Sequence, residues 1–179
     1  MDIAKDLYFA QQALASLFSV TNKLQMQGDK YLKDLTIRQM LAIPAIIHAL
    51  TGKATINHIA KALGTTKQNA KQIVDALAKK NYVSVAPSEL DKRAVNITVT
   101  PGSEQAFGLC SERTDIFLAD IFHDFTTEDL EALCTLLNKL YRFDGTPQDS
   151  SHEYLNNHTS DEMLQHHHSY VKRRTGNDA

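Results

Sequence analysis

A short run of amide-bearing and basic side chains lies between positions 66 and 72. It accompanies an apolar stripe at helical spacing (Ala70, Ile73, Val74 and Leu77), so the polar run belongs to the outer side of a helix. Gln and Asn donate and accept together, which matches the edge of adenine, and Lys supplies a point charge for phosphate. The pattern predicts a DNA-reading helix, and a polar face that only contacts solvent is the alternative. We name these residues the reading surface: Thr66, Lys67, Gln68, Asn69, Lys71 and Gln72.

The segment before this helix has the pattern of a second, shorter helix. Apolar residues at positions 56, 59, 60 and 63 repeat at helical spacing, and Gly64 ends the run. Thr66 can accept from the free N–H groups that open the next helix, which makes it the predicted N-cap. Two helices joined in this way form a helix-turn-helix, whose second helix enters the major groove by its N-terminal end.

A β-hairpin is predicted next along the chain. Residues 82–86 and Val95–Val99 alternate and are rich in β-branched side chains, and a polar connection at 87–94 joins them. A hairpin in this position is the wing of a winged helix-turn-helix. Lys92 and Arg93 at its tip could lie along phosphates or enter a minor groove.

Charge is distributed unevenly along the chain. Residues 36–100 hold nine basic and three acidic side chains, a net charge of +6, whereas the whole chain carries −2 and the remainder therefore −8. A basic module in an acidic frame is typical of phosphate binding, because cations that meet phosphates release condensed counterions. On charge alone, a lysine-rich surface that only contacts solvent is the alternative.

The N-terminal segment predicts one long helix with a heptad-like apolar seam. The seam needs a partner, which could be an internal helix or a second copy of the chain. Gly28 and Asp29 are predicted to end this helix. The seam consists of Ile3, Leu7, Ala10, Leu14, Leu17, Thr21 and Leu24.

A second helix is predicted to run from Thr36, its N-cap, towards Leu50. The segment is apolar all round, which predicts that it is buried. Pro44 removes one backbone hydrogen bond within it and should kink the helix or split it.

Two more helices are predicted after the hairpin. Thr100 caps the first, with Pro101 at its first position, and Thr126 or Thr127 caps the second, which carries a wide leucine stripe. The predicted fold is therefore mainly α with a small β-hairpin. We expect residues 1–34 and 101–142 to form a helical dimerisation layer, 35–100 the winged helix-turn-helix domain, and 143–179 a linker with a short C-terminal helix.

The C-terminal tail combines histidines with a basic triplet. For Lys172, Arg173 and Arg174, a charge-matched helix end is favoured over phosphate contact. The histidines at positions 152, 158 and 166–168 lack a specific metal-site spacing, so solvated tail residues are favoured over a divalent-metal site.

The two cysteines fall on different predicted helices in apolar surroundings. For Cys110 and Cys134, small buried hydrophobes are favoured over a disulfide or a redox site.

The order of these elements resembles the MarR family of dimeric winged-helix transcriptional regulators, from Ile3 to about Arg142. The most specific match is Asp91-Lys92-Arg93 followed by Val99-Thr100, which is similar to the family's Asp-x-Arg wing and the close of its second strand. Residues 63–80 resemble its turn and reading helix, through Leu63-Gly64, Thr66-Lys67, Ile73-Val74-Asp75, Leu77 and Lys79-Lys80. Two departures are Asn81 and Ala76. Asn81 follows the reading helix where the family usually has Gly, and asparagine tolerates the left-handed conformation that this helix end predicts. The family commonly has Arg near Ala76.

The resemblance implies a role for each site residue. Gln68, Asn69, Lys71 and Gln72 would contact the major groove, Lys67 a phosphate, and Arg93 the minor groove, with Asp91 orienting Arg93. It also implies a homodimer on double-stranded DNA with an A·T-containing, inverted-repeat operator. A small, often aromatic or anionic effector would bind between the dimer layer and the DNA-binding lobe. Met40, Ile43 and Ile47 could line a pocket there, but core packing is favoured for all three.

Other classes of protein lack support in the sequence. No nucleophile with a base partner, paired acid motif, Gly-rich loop or Cys cluster is visible, so we expect no enzyme, cofactor or metal. No apolar run approaches the ~20 residues that span a bilayer, and no signal peptide is apparent, so we expect a cytoplasmic protein without membrane contact. The expected function is a dimeric repressor released by an effector. A winged-helix protein-interaction module and a metal- or redox-gated regulator are the alternatives.

Overall fold

The molecule is a computed structural model, and it describes residues 2–49, 54–88, 95–145 and 167–176. Among the helices in these ranges, none combines the length and apolar character needed to cross a bilayer. The elements are α1 (Ile3–Leu32), α2 (Ile37–Ile47), α3 (Ile56–Ala62), α4 (Lys67–Lys79), β1 (Val83–Pro87), β2 (Val95–Val99), a 3₁₀ turn (Pro101–Ser103), α5 (Glu104–Ile121), α6 (Thr127–Tyr141) and α7 (His168–Thr175).

The core lies where α2, α3 and α4 pack against the hairpin. Ile59, Leu77 and Ile97, one from each of α3, α4 and β2, are fully buried there. β1 and β2 pair antiparallel, and Ala54 exchanges two backbone hydrogen bonds with Ile97, at 3.1 and 2.8 Å. The predicted mainly helical fold with one β-hairpin is confirmed.

The prediction that α1 ends at Gly28 and Asp29 is wrong. The helix continues to Leu32, and Lys33 ends it with a φ of 58°. Gly28 instead allows α2 to pack closely, because a Cβ at this position would lie 3.0 Å from Ile37 Cδ1. Asp29 accepts a hydrogen bond from the Ile37 backbone N–H at 2.7 Å. Gly28 and Asp29 therefore stabilise the crossing of α1 and α2 and do not end α1.

α2 is one continuous helix that contains Pro44, so of the two predicted outcomes the split is excluded. Thr36 caps it as predicted, in a capping box with Gln39. The helix is not buried all round, because Leu41 and Ile47 are 51% and 48% exposed. Leu50 lies outside the described residues.

The helices after the hairpin begin close to their predicted caps. The Thr100 hydroxyl donates to the Asn81 carbonyl and does not cap α5, which is preceded by the 3₁₀ turn. Thr126 caps α6 in a capping box with Asp129. α6 buries none of its residues in the single chain.

The prediction of a solvated tail is wrong for His167, and the basic triplet is not simply a matched helix end. His167 contacts Asp115 of α5, and Arg173 and Arg174 also bind α5 and the turn that follows it. His152, His158 and His166 lie outside the described residues. Cys110 is buried as predicted, but Cys134 is exposed, which contradicts its prediction.

Truncation of Leu77 should show how much the buried apolar stripe of α4 contributes to the stability of this domain. Leu77→Ala removes a side chain of 0% exposure, so we expect a loss of about 2–5 kcal/mol in the free energy of unfolding by urea denaturation. Val85→Ala is the control, because Val85 is 43% exposed, and it should cost less than about 1 kcal/mol. Equal losses would contradict the assignment of the core.

Candidate nucleic-acid interface

The turn between α3 and α4 is made by Gly64 and Thr66. Gly64 has a φ of +57°, a left-handed conformation that favours glycine. Its N–H donates to the Lys61 carbonyl at 3.1 Å. The Thr66 side chain accepts from the Asn69 backbone N–H at 3.2 Å, so the predicted N-cap is confirmed. These two residues set where α4 begins and how it leaves α3.

The reading surface is exposed along the first two turns of α4. Ala70, Val74 and Leu77 on the opposite side have exposures of 0%, 1% and 0%. Burying this stripe turns the polar side chains outward, which is the arrangement that an inserted helix requires. The exposed residues are Thr66, Lys67, Gln68, Asn69, Lys71 and Gln72.

Two of the side chains already have hydrogen-bonding partners. Asn69 Nδ2 donates to Thr65 Oγ1 at 3.3 Å, and Lys71 Nζ lies 2.7 Å from Asp75 Oδ2. Both members of the Lys71–Asp75 pair are more than half exposed, so the pair contributes little to stability. Asp75 is not among the predicted residues of the reading surface, although its spacing of four from Lys71 is a signal for such a pair.

The far end of α4 is occupied by structural contacts. Lys80 Nζ donates to the Asp34 carbonyl and to Gln39 Oε1, so it points towards the end of α1. Asn81 adopts the left-handed conformation that its position predicts, with a φ of 59°. Most of the exposed polar side chains of α4 therefore lie at its N-terminal end, and Lys79 is exposed at the other end.

The described part of the hairpin is its two paired strands. Pro87 pairs with Val95 at the outer end of the ladder. Asp91, Lys92 and Arg93 lie outside the described residues, and their contacts stay predictions from the sequence.

A helix-turn-helix with an exposed second helix, followed by a two-stranded hairpin, defines a winged helix-turn-helix protein. Residues 33–94 match the sequence model described as the MarR family. This match confirms the predicted resemblance to the MarR family over that stretch of the chain.

Solved structures show the same fold at low sequence identity. An Escherichia coli MarR mutant complexed with operator DNA is 22% identical, with a TM-score of 0.62, over 70% of this chain and 91% of that one. A MarR/EmrR family transcriptional regulator from Acinetobacter sp. ADP1 is 20% identical, with a TM-score of 0.66, over 76% and 98%. An organohalide-sensing transcriptional regulator bound to 2,4-dichlorophenol is 18% identical, with a TM-score of 0.64, over 74% and 79%.

Removal of the Thr66 cap should destabilise the start of α4. Thr66→Ala loses the acceptor for the Asn69 N–H, so we expect about 0.5–2 kcal/mol lower stability by chemical denaturation. Thr66→Ser keeps a hydroxyl acceptor and is the matched control, with nearly unchanged stability. If both variants lost the same stability, the hydroxyl would not be the stabilising group.

Proposed function

We propose that this chain is a homodimeric, sequence-specific DNA-binding transcriptional regulator. The observation that carries the proposal is the exposed reading surface at the N-terminal end of α4, opposite a fully buried apolar stripe. The net charge of +6 on residues 36–100 supports a polyanionic partner. The E. coli MarR mutant of the same fold was crystallised with operator DNA, which supports the same function here.

Each polar residue of α4 has a role that fits its chemistry. Gln68, Asn69 and Gln72 carry amides that can bind the N6 and N7 edge of adenine, and each well-formed bidentate contact discriminates by about 1–3 kcal/mol. Lys67, next to the helix start, neutralises a phosphate. Lys71 leaves Asp75 to reach the major groove, which is inexpensive because the pair is exposed.

The wing would add contacts in the minor groove. In this proposal Lys92 and Arg93 approach the phosphates or enter a narrow A·T-rich groove, and Asp91 orients Arg93. Arg in a narrow minor groove is favoured by the concentrated negative potential there.

A second copy of the chain is the partner that fits the exposed seam of α1. Ile3, Leu7 and Leu14 are 71%, 59% and 59% exposed in the single chain. On α6, Leu136 and Leu140 are 64% and 48% exposed. Apolar surface of this extent marks an interaction site. A twofold dimer would place two reading helices in successive major grooves about 34 Å apart, which predicts an inverted-repeat operator.

An effector would bind at the junction between these helices and the DNA-binding lobe. A cavity of about 380 Å³ lies there, with Tyr82, Leu109, Cys110 and Arg113 in its lining. Burial raises the pKa of the Cys110 thiol, which keeps it neutral. Met40 and Ile43 pack in the core and Ile47 is exposed. None of these three residues lines this cavity.

We propose that an effector bound in this cavity shifts the DNA-binding lobe and so releases a repressor from DNA. The organohalide-sensing relative bound to 2,4-dichlorophenol supports a small-molecule trigger.

Lys67→Ala should weaken DNA binding in a salt-dependent way. Because a dimer carries two copies, the slope of log affinity against log salt should fall by about 2, measured by fluorescence anisotropy with a duplex selected from random sequence. Lys79→Ala removes the same charge from the other end of α4, about 18 Å away along the helix, and should leave the slope unchanged. Equal slopes in all three proteins would contradict the phosphate contact.

Leu136→Arg should disrupt the dimer. Leu136 is 64% exposed in the single chain, so the substitution is tolerated by the monomer, but it buries a charge in the proposed interface. We expect a shift to monomer mass by analytical ultracentrifugation. Asn138→Arg adds the same charge to the polar side of α6 and should remain dimeric. A dimeric Leu136→Arg protein would exclude α6 from the interface.

A further inference from the structure

The C-terminal helix α7 is fastened to α5 by charged side chains at both of its ends. At its start, His167 Nδ1 lies 2.6 Å from Asp115 Oδ1. At its end, Arg173 donates to Asp120 through both Nε and Nη2. Arg174 donates to three backbone carbonyls at the end of α5. Attachment at both ends fixes the position of α7 along α5.

Asp115 indicates that the surface of α5 is built to hold this helix. Its exposure is 3%, and it lies on a part of α5 where Phe117 and Ala119 are also buried. A buried carboxylate without a partner is costly, and His167 supplies the partner. An acidic residue at this position is therefore compatible with a stable core when α7 is docked.

Arg174 holds the turn that follows α5. The helix ends at Ile121, and Arg174 donates to the carbonyl of Phe122, its C-cap residue. It also donates to the carbonyls of His123 at 2.9 Å and Phe125 at 2.8 Å in the turn. Its positive charge also suits the negative end of the α5 dipole. A side chain of α7 thus fixes a turn far from it in sequence.

Asp120 links α7 to the end of α1. Tyr31 Oη donates to Asp120 Oδ2 at 2.7 Å, on the same carboxylate that binds Arg173. Arg173 lowers the pKa of Asp120, and the hydrogen bond to Asp120 raises the pKa of Tyr31. Tyr31 lies in the last turn of α1, next to the segment that leads into the DNA-binding lobe.

We propose that α7 is a clamp that holds the end of α1 against α5 and so fixes the orientation of the DNA-binding lobe. The proposal rests on the proposed DNA-binding function and adds a device that controls it. A dimer must present two reading helices at one spacing, and a lobe that is ordered in advance loses less conformational entropy on binding. Release of α7 therefore lowers DNA affinity without removing a DNA contact.

The test is a double substitution, Arg173→Ala with Arg174→Ala, in the full chain. We expect DNA affinity to fall about tenfold, within the usual range of coupling between sites. The salt slope should stay the same because no phosphate contact is lost, and the dimer mass should not change. His168→Ala changes an exposed side chain at the start of the same helix and should change affinity by less than about twofold.

Hydrogen–deuterium exchange separates the clamp from the DNA-binding proposal. In the double variant, amides of α7 and of residues 31–47 should exchange faster than in the unaltered protein. Faster exchange in α7 alone, unchanged or tighter DNA binding, or a smaller salt slope would each overturn the clamp. If the unaltered chain bound no DNA, the proposed function would fail, and exchange at residues 31–47 would still decide whether α7 fixes the lobe.

Discussion

The packing of the winged helix-turn-helix domain against α5 depends on a polar clasp at the end of α1. Arg113 of α5 donates to the Leu32 carbonyl and to the Asp34 carboxylate, both at 3.0 Å. Lys80, at the end of α4, donates to the Asp34 backbone carbonyl. Three elements that are distant in sequence therefore meet on Leu32 and Asp34, at the point where α1 ends. Directional hydrogen bonds specify an angle between elements better than apolar packing, which has no direction.

Within the lobe, the division between buried and exposed sides of α4 follows from the core. Ala70, Val74 and Leu77 are each at most 1% exposed. Rotation of α4 about its axis would therefore expose apolar surface and bury amides. Both changes are unfavourable. The polar side is thus fixed outward before any ligand is present, and its side chains, apart from the Thr66 cap, are available for the proposed DNA recognition.

The features that the sequence predicted correctly are local ones. The side chains of Thr36, Thr66 and Thr126 each cap a helix by accepting from the backbone N–H three residues later. The left-handed conformation of Asn81 follows from its position at a helix end. The apolar periodicity of α4 predicted its buried stripe correctly because that pattern also lies within a single helix.

The features that the sequence did not reveal depend on distant partners. Gly28 matches a helix terminator, and only the crossing with Ile37 shows its use. His167 and Asp115 are 52 residues apart, and Arg113 and Leu32 are 81 apart, so no local pattern records these contacts. The exposure of Leu41 and Cys134 depends on which faces of their helices pack against neighbours.

The exposed apolar seam of α1 has a consequence for how gene output depends on protein concentration. If two chains must associate before two half-sites can be held, operator occupancy in dilute protein rises with the square of the chain concentration, so a modest change in synthesis or turnover becomes a sharper change in gene output.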